Sequence, residues 1–378
     1  MLYLDHAATT VMRPEARAAM EPFLDTEFGN PSGVHEVSRE AKNAVEEARE
    51  RAAALIGAQR PLEIVFTGGG TEADNLAVAG AALAEGKRGG VVTTAIEHEA
   101  VLETARFCGR LGCPVEEVGV DGKARVSPDD LVAALTAETA VVSVMLANNE
   151  TGVIQPVRKI AEAVKGRRED VVVHTDAVQA FTSEPVTVDE TGADLIALAA
   201  HKFGGPKGTG LLYVRDGVAL EPVVHGGGQE LGRRSGTQNV AGIVGMVAAM
   251  EATVADRAGF RRRVGEARDR FEAGLRRAFP DIEVNAPADS RLAQHAHLRI
   301  PGVASETLLV RLDQAGIAAA AGSACHSGAI EVSHVLAAMG MGPVQAAECV
   351  RFSFGWVNSS DDGDVAAERV VSVVEALR

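Results

Sequence analysis

Two apolar runs of this chain end in residues able to do chemistry. One is Val171-Val172-Val173-His174-Thr175-Asp176, closing on a carboxylate; the other runs into Ala199-Ala200-His201-Lys202. Open α/β sheets place their ligand sites just past the carboxyl ends of buried strands, where this aspartate stands. A lysine so close to a hydrophobic strand is expensive to bury unless it has covalent or ionic work to do. As a pair the two make chemical sense. A lysine amine condenses with an aldehyde cofactor to an imine, and an aspartate keeps the cofactor's pyridine nitrogen protonated as an electron sink. Either residue alone reads equally well as a surface lysine or a helix-capping aspartate.

Three further segments suit the same cofactor. Gly68-Gly69-Gly70-Thr71-Glu72 is a glycine-rich turn entering a helix, and such a turn offers a phosphate its backbone N–H groups and a positive dipole end. His98 opens the helix after Gly90–Thr94, either capping it or lying over a cofactor ring. Asn149, in Asn148-Asn149-Glu150-Thr151-Gly152, follows another strand and is able to donate to a ring oxygen. Among four cysteines, Cys108, Cys113 and Cys349 read as packing residues. Cys325 does not, because Gly322, Ser323, Ser327 and Gly328 around it make a poor core sequence. A reactive thiol needs a lowered pKa, to which the adjacent His326 is one contributor. His295 and His297 alternate as on a strand, but no cysteine lies at ligand spacing, so no metal site is expected.

These residues need a scaffold that gathers strand ends. Buried strands are predicted at Glu63–Thr67, Gly90–Thr94, Ala140–Leu146, Val171–Thr175, Leu195–Ala199 and Gly210–Val214. Helix-length segments alternate with them: Glu72–Ala84, His98–Leu111, Pro128–Leu135 and Pro156–Val164. The alternation predicts a mostly parallel sheet flanked by helices. Neither GxGxxG nor a Walker A sequence occurs, so a nucleotide-binding variant of that architecture is not indicated. After about residue 255 the pattern changes. An Arg- and Glu-rich helix, Asp256–Phe279, leads into a strand at His297–Ile300 and helices at Glu306–Ala315 and Asp364–Leu377, a smaller α+β unit. The division expected is 15–257 for the large domain, and 1–14 with 258–378 for the small one.

Across nearly its whole length the chain resembles a cysteine desulfurase of the NifS/IscS-like kind, within the class V aminotransferase (fold-type I pyridoxal-phosphate, PLP) superfamily. The resemblance is carried by Tyr3-Leu4-Asp5-His6-Ala7-Ala8-Thr9-Thr10, Gly29-Asn30-Pro31-Ser32, Thr71-Glu72-Ala73-Asp74-Asn75, Asn148-Asn149-Glu150 and His201-Lys202. It continues through His225-Gly226-Gly227-Gly228-Gln229-Glu230, Arg234-Ser235-Gly236-Thr237, Gly322-Ser323-Ala324-Cys325 and Arg351-Phe352-Ser353. Their order and spacing together are specific in a way no single one is.

The resemblance implies a role for each matching position. Lys202 binds the cofactor aldehyde and later takes the substrate Cα proton; Asp176 pairs with the pyridine nitrogen; Gln179 contacts the phenolic oxygen; His98 stacks on the ring. Gly70, Thr71 and His201 hold the phosphate, with Thr237 reaching in from the second subunit of a homodimer. Arg351, with Asn149, binds the substrate, the guanidinium fork gripping its carboxylate. Cys325 accepts the sulfur of L-cysteine as a persulfide, leaving alanine. The chain departs from the family at Ala199, where a phosphate-binding serine is usual, at Gly204, where tyrosine is frequent, and at His326, where threonine is common. An aminotransferase, a kynureninase-like hydrolase or a selenocysteine lyase would share the cofactor residues; the Gly322-Ser323-Ala324-Cys325 segment favours sulfur transfer over the first two. A scaffold role without catalysis is disfavoured by the retention of Lys202, Asp176, Cys325 and Arg351.

Composition narrows the partners. A net charge of −15 and 4% aromatic residues oppose direct nucleic-acid binding. No stretch approaches the roughly 20 apolar residues of a membrane span, and the opening Met1-Leu2-Tyr3-Leu4-Asp5 lacks a signal-like segment. A cytoplasmic enzyme with reduced thiols is expected. Its sulfur would pass to an acceptor protein: an iron–sulfur scaffold, a tRNA-thiolation or DNA-phosphorothioation partner, or a thiocofactor pathway.

Overall fold

In a computed structural model, residues 1–321 and 333–378 are described. Seven strands form the central sheet, in the order Ile64–Thr67, Gly210–Val214, Leu195–Ala199, Val172–Asp176, Thr139–Ser143, Gly90–Thr94, Val115–Val118. All run parallel except Gly210–Val214, which is antiparallel to both of its neighbours. The interior strands are buried at every residue or nearly so. That is why they read as continuous apolar runs: helices cover both faces. Predicted and observed strands agree to within three residues at every end.

One strand of the central sheet was not predicted. Val115–Val118 lies at the sheet edge with Glu116 and Glu117 exposed, so it presents no apolar run. Charged side chains on an edge also blunt its unpaired backbone.

The helix expected at Asp256–Phe279 begins much earlier. Val240–Ala278 is one helix of 39 residues. Its first part, with Ile243, Met246, Val247 and Met250, packs in the core of the central sheet. Its second part, with Phe260, Val264, Ala267, Phe271 and Leu275, packs in a separate core. Its first part is buried nearly all round, whereas its second part buries a single stripe, so the apolar pattern changes along the helix and does not mark it as one element.

The second core is built on an antiparallel sheet of Cys349–Ser353, His295–Arg299 and Glu283–Val284, covered by helices Ser305–Gln314 and Asp362–Glu375. The chain start joins it: Leu2–Tyr3 pairs in parallel with Ile317–Ala318, and Leu4 is wholly buried there. Among the described residues, no helix is long and apolar enough to cross a membrane.

Candidate functional site

The carboxyl ends of the central strands converge, as the pattern of runs predicted. Asp176 is the last residue of Val172–Asp176, 6% exposed, and its Oδ1 accepts the Val178 N–H at 2.9 Å. Burial pushes its carboxyl up, while His98, that N–H and Lys202 pull it back. Gln179, one turn on, is buried and donates from Nε2 to the Ala7 carbonyl at 2.9 Å. On the neighbouring strand, Leu195–Ala199 passes into a short turn bearing His201 and Lys202.

The Lys202 amine donates to the carbonyls of Ala7, at 2.6 Å, and Ala8, at 3.0 Å. The side chain keeps some exposed surface, yet burial of the amine, with Arg351 as a nearby cation, lowers its pKa to about 8. A lysine with that value is about one-tenth free amine at pH 7, far more than an ordinary lysine, and the free amine is the form that attacks an aldehyde. Capture of PLP by cofactor-free protein should therefore speed up as pH rises through about 8, because the reactive species is the deprotonated one. Stopped-flow absorbance measures this; a rate unchanged between about pH 6.5 and 9.5 would contradict a lowered lysine.

The glycine turn meets the expectation for a phosphate cradle. Strand Ile64–Thr67 leads through Gly68 and Gly69 into the helix Gly70–Ala82. Backbone approaches backbone here: a Cβ on Gly210 would lie 2.6 Å from the Gly69 carbonyl carbon. An open cleft of about 750 Å³ is lined by Thr9, Gly69, Gly70, Thr71, His201 and Lys207. Burial, followed by the charges of Lys202 and Lys207, holds His201 down to about 4, so its ring is neutral, and Nδ1 lies 3.2 Å from Thr9 Oγ1. Ala199 faces this turn, its Cβ 3.2 Å from where a Cβ on Gly70 would sit. Ala199→Ser should tighten PLP binding by about 1 kcal/mol, roughly fivefold, through one more hydroxyl. A fluorescence titration of the cofactor-free variant checks this; unchanged affinity means the hydroxyl finds no phosphate oxygen. At Gly204 the departure has a plain cause. Its φ is +88°, and any Cβ would lie 2.6 Å from Arg13 Cγ, so a tyrosine does not fit this backbone.

His98 caps its helix. Its Nδ1 accepts the Ala100 N–H at 3.1 Å, capping Glu99–Arg110, and its exposed ring lies close enough to Asp176 to lower that carboxyl's pKa. Asn149 uses its backbone: its carbonyl accepts from Arg351 Nη1 at 2.8 Å. Arg351 is 4% exposed, on Cys349–Ser353, and its Nη2 donates to Asp5 Oδ1 at 2.8 Å. Thr237 is exposed, in a loop whose Arg234 pairs with Glu72 at 2.7 Å. Cys325 lies outside the described residues.

The sequence pattern of the family described as Aminotransferase class-V matches residues 2–365. The chain is 42% identical over 379 residues to the cysteine desulfurase IscS of Dictyoglomus turgidum, covering 100% of this chain and 95% of that one. It is a cysteine desulfurase of the class-V aminotransferase family. Among solved structures, a NifS-like protein superposes with a TM-score of 0.92 at 34% identity, covering 99% of both chains. A second, SspA in complex with cysteine, superposes with a TM-score of 0.83 at 31% identity, covering 94% of this chain and 99% of that one.

Class-V cysteine desulfurases depend on PLP, and the residues present fit that cofactor. A weakly basic lysine, a buried carboxylate and a glycine cradle stand together at adjoining strand ends. Sequence reasoning gave several residues around them no part in the cofactor site. Asp5 is an anchor for Arg351, and His295, wholly buried, shares a cavity of about 20 Å³ with Lys202, Gln179 and His6. Burial first, then Arg351, lowers the His295 pKa to about 3, which keeps the imidazole neutral. Below the site, Asp74, Glu97 and His174 are buried polar groups inside runs that look like packing.

Proposed function

We propose that this enzyme removes the sulfur of L-cysteine onto Cys325 and releases L-alanine, each site residue acting as follows. Lys202 holds the cofactor through its aldehyde carbon, Asp176 pairs with the pyridine nitrogen, and Gln179 contacts the phenolic oxygen. His98 lies over the ring. Gly70, Thr71 and His201 bind the phosphate, and Thr237 does so in the partner subunit of a homodimer. Bound PLP supplies the electron sink that makes the bonds at the cysteine Cα and Cβ labile. Arg351 grips the substrate carboxylate with its bidentate fork, assisted by Asn149. Lys202, freed by the incoming amine, moves the Cα proton. The Cys325 thiolate forms a bond to the substrate sulfur as the substrate's Cβ–S bond breaks. The bonding pair goes to the substrate carbon, which takes up a proton to become the methyl group of alanine.

The observation that supports this reading best is the Lys202 amine, lowered to about 8 and set beside buried Asp176 and Arg351. Cys325 is supported by elimination as well as by its motif. Burial pushes the Cys108 and Cys349 thiols up to about 11, and Cys113 is raised too, so none of the three is a ready thiolate. The cores of the central sheet and of the antiparallel sheet support the division into 15–257, and 1–14 with 258–378, with the long helix and a smaller cluster that includes Ile96, Met145, Val335 and Cys349 crossing the boundary. The sulfur acceptor is a protein, working with this enzyme in a reducing cytoplasm. Net charge −15 argues that nucleic acid, where it is the final target, is reached through a carrier.

The test is alanine and sulfide release from L-cysteine by PLP-loaded protein with a reductant. Equal release of both products supports the reading. A PLP-loaded protein that turns over selenocysteine alone overturns it.

A further inference from the structure

The mechanism above uses one buried carboxylate, but the structure buries three together. Asp74, on the helix Gly70–Ala82, is 2% exposed; Glu97 is wholly buried ahead of the helix Glu99–Arg110; Asp176 ends its strand. Three anions so close in apolar surroundings would repel one another, so some of these groups hold protons. The contacts say which.

Asp176 accepts the Val178 N–H and has His98 and Lys202 nearby, all three favouring its ionised form. Glu97 accepts the Thr94 hydroxyl at 2.6 Å and the Met145 N–H at 2.9 Å, both on Oε1. Asp74 faces Asp176 and Glu97 with no cation beside it among the described residues, and burial followed by those two carboxyls raises its pKa well above the usual range. Its Oδ1 lies 3.6 Å from His174 Nε2, just beyond hydrogen-bond distance, and among the described residues neither atom has a hydrogen-bond partner. His174 Nδ1 is 2.8 Å from Ser143 Oγ. Burial drives the His174 pKa down to about 3, so the imidazole is neutral and has one donor and one acceptor nitrogen. If Nδ1–H donates to Ser143, Nε2 is left as an acceptor, and a protonated Asp74 is the group placed to fill it. His174 and Asp176 are two residues apart on one strand and so share a face.

We propose that Asp74 is a neutral carboxylic acid donating to Nε2 of His174, a positioning residue that leaves Asp176 as the anion of the cluster and orients the strand that carries it. The inference rests on the PLP reading of Asp176. It adds a residue whose proton, not its charge, does the work. Like charge is kept away from Asp176, and the His174 tautomer is set by the hydrogen bond.

The test is a pH titration of the visible absorbance of bound PLP in wild type, Asp74→Asn and Asp74→Ala, with PLP affinity measured alongside. Asparagine keeps a donor for His174 and carries no charge, so its titration midpoint should match wild type within about 0.3 pH unit. Alanine removes the donor and should weaken PLP binding roughly fivefold, with asparagine restoring it. A midpoint lowered by about one unit or more in Asp74→Asn would mean that Asp74 is an anion, and would overturn the proposal. Equal affinity and midpoint in all three proteins would overturn the positioning role. Should Asp74→Ala not fold, the asparagine midpoint still decides the protonation state. Wild-type protein that gains no visible absorbance with PLP would instead defeat the reading beneath the proposal.

Discussion

Lys202→Ala should reduce alanine formation from L-cysteine by at least about a thousandfold, because one side chain supplies two functions. The first is covalent attachment. Lys202 stands at the end of Leu195–Ala199 with its amine lowered to about 8, so at pH 7 about a tenth of it is the free amine that attacks the aldehyde. The second is proton movement at the substrate Cα, which a positioned base accelerates by about 10²–10⁴. Alanine at 202 has neither an amine to attach nor a base to offer. Borohydride should lock PLP onto the wild type and fail to do so on the variant, as a mass measurement of the intact chain would record. The fold should survive, since Lys202 donates only to the carbonyls of Ala7 and Ala8 in a loop region. A variant that keeps a tenth or more of wild-type turnover would remove Lys202 from the chemistry.

For Cys325→Ala the expected result separates binding from transfer. The variant should bind PLP and L-cysteine as wild type does, yet lose alanine release by roughly a hundredfold or more, because no thiolate remains to take the sulfur. The wild-type chain, mixed with L-cysteine without reductant, should gain the mass of one sulfur atom; the variant should gain none. No other described cysteine can substitute. Cys108 and Cys349 are wholly buried, and burial pushes their thiols up to about 11. Cys113 is 5% exposed and raised as well. If Cys325→Ala turns over at the wild-type rate, sulfur leaves without an enzyme persulfide, and a lyase or another PLP chemistry becomes the better reading.

Much of the site is legible in the sequence because its chemistry is tied to strand ends. Gly90–Thr94, Leu195–Ala199 and Gly210–Val214 appear in the structure with the boundaries their apolar runs indicate. Asp176 and Lys202 follow such runs directly, so local sequence places them at the sheet's carboxyl edge. Interior parallel strands are apolar on both faces, which makes them conspicuous. The edge strand Val115–Val118 is not, because half of it faces water.

What local sequence could not supply is contact between residues far apart in the chain. Arg351 meets Asp5 across 346 positions, and Lys202 meets Ala7 across 195. Neither pairing follows from spacing, since the antiparallel sheet of the second core and the returning N-terminal segment create both. The same holds for the protonation states. Asp74, Asp176 and Glu97 are ordinary acids in the sequence, and burial together makes them unequal. Residue identity along the chain determined which cofactor chemistry the protein is equipped for. Folding determined which groups hold a proton and which carry charge, because desolvation and charge–charge energies depend on distances that only the packed structure sets.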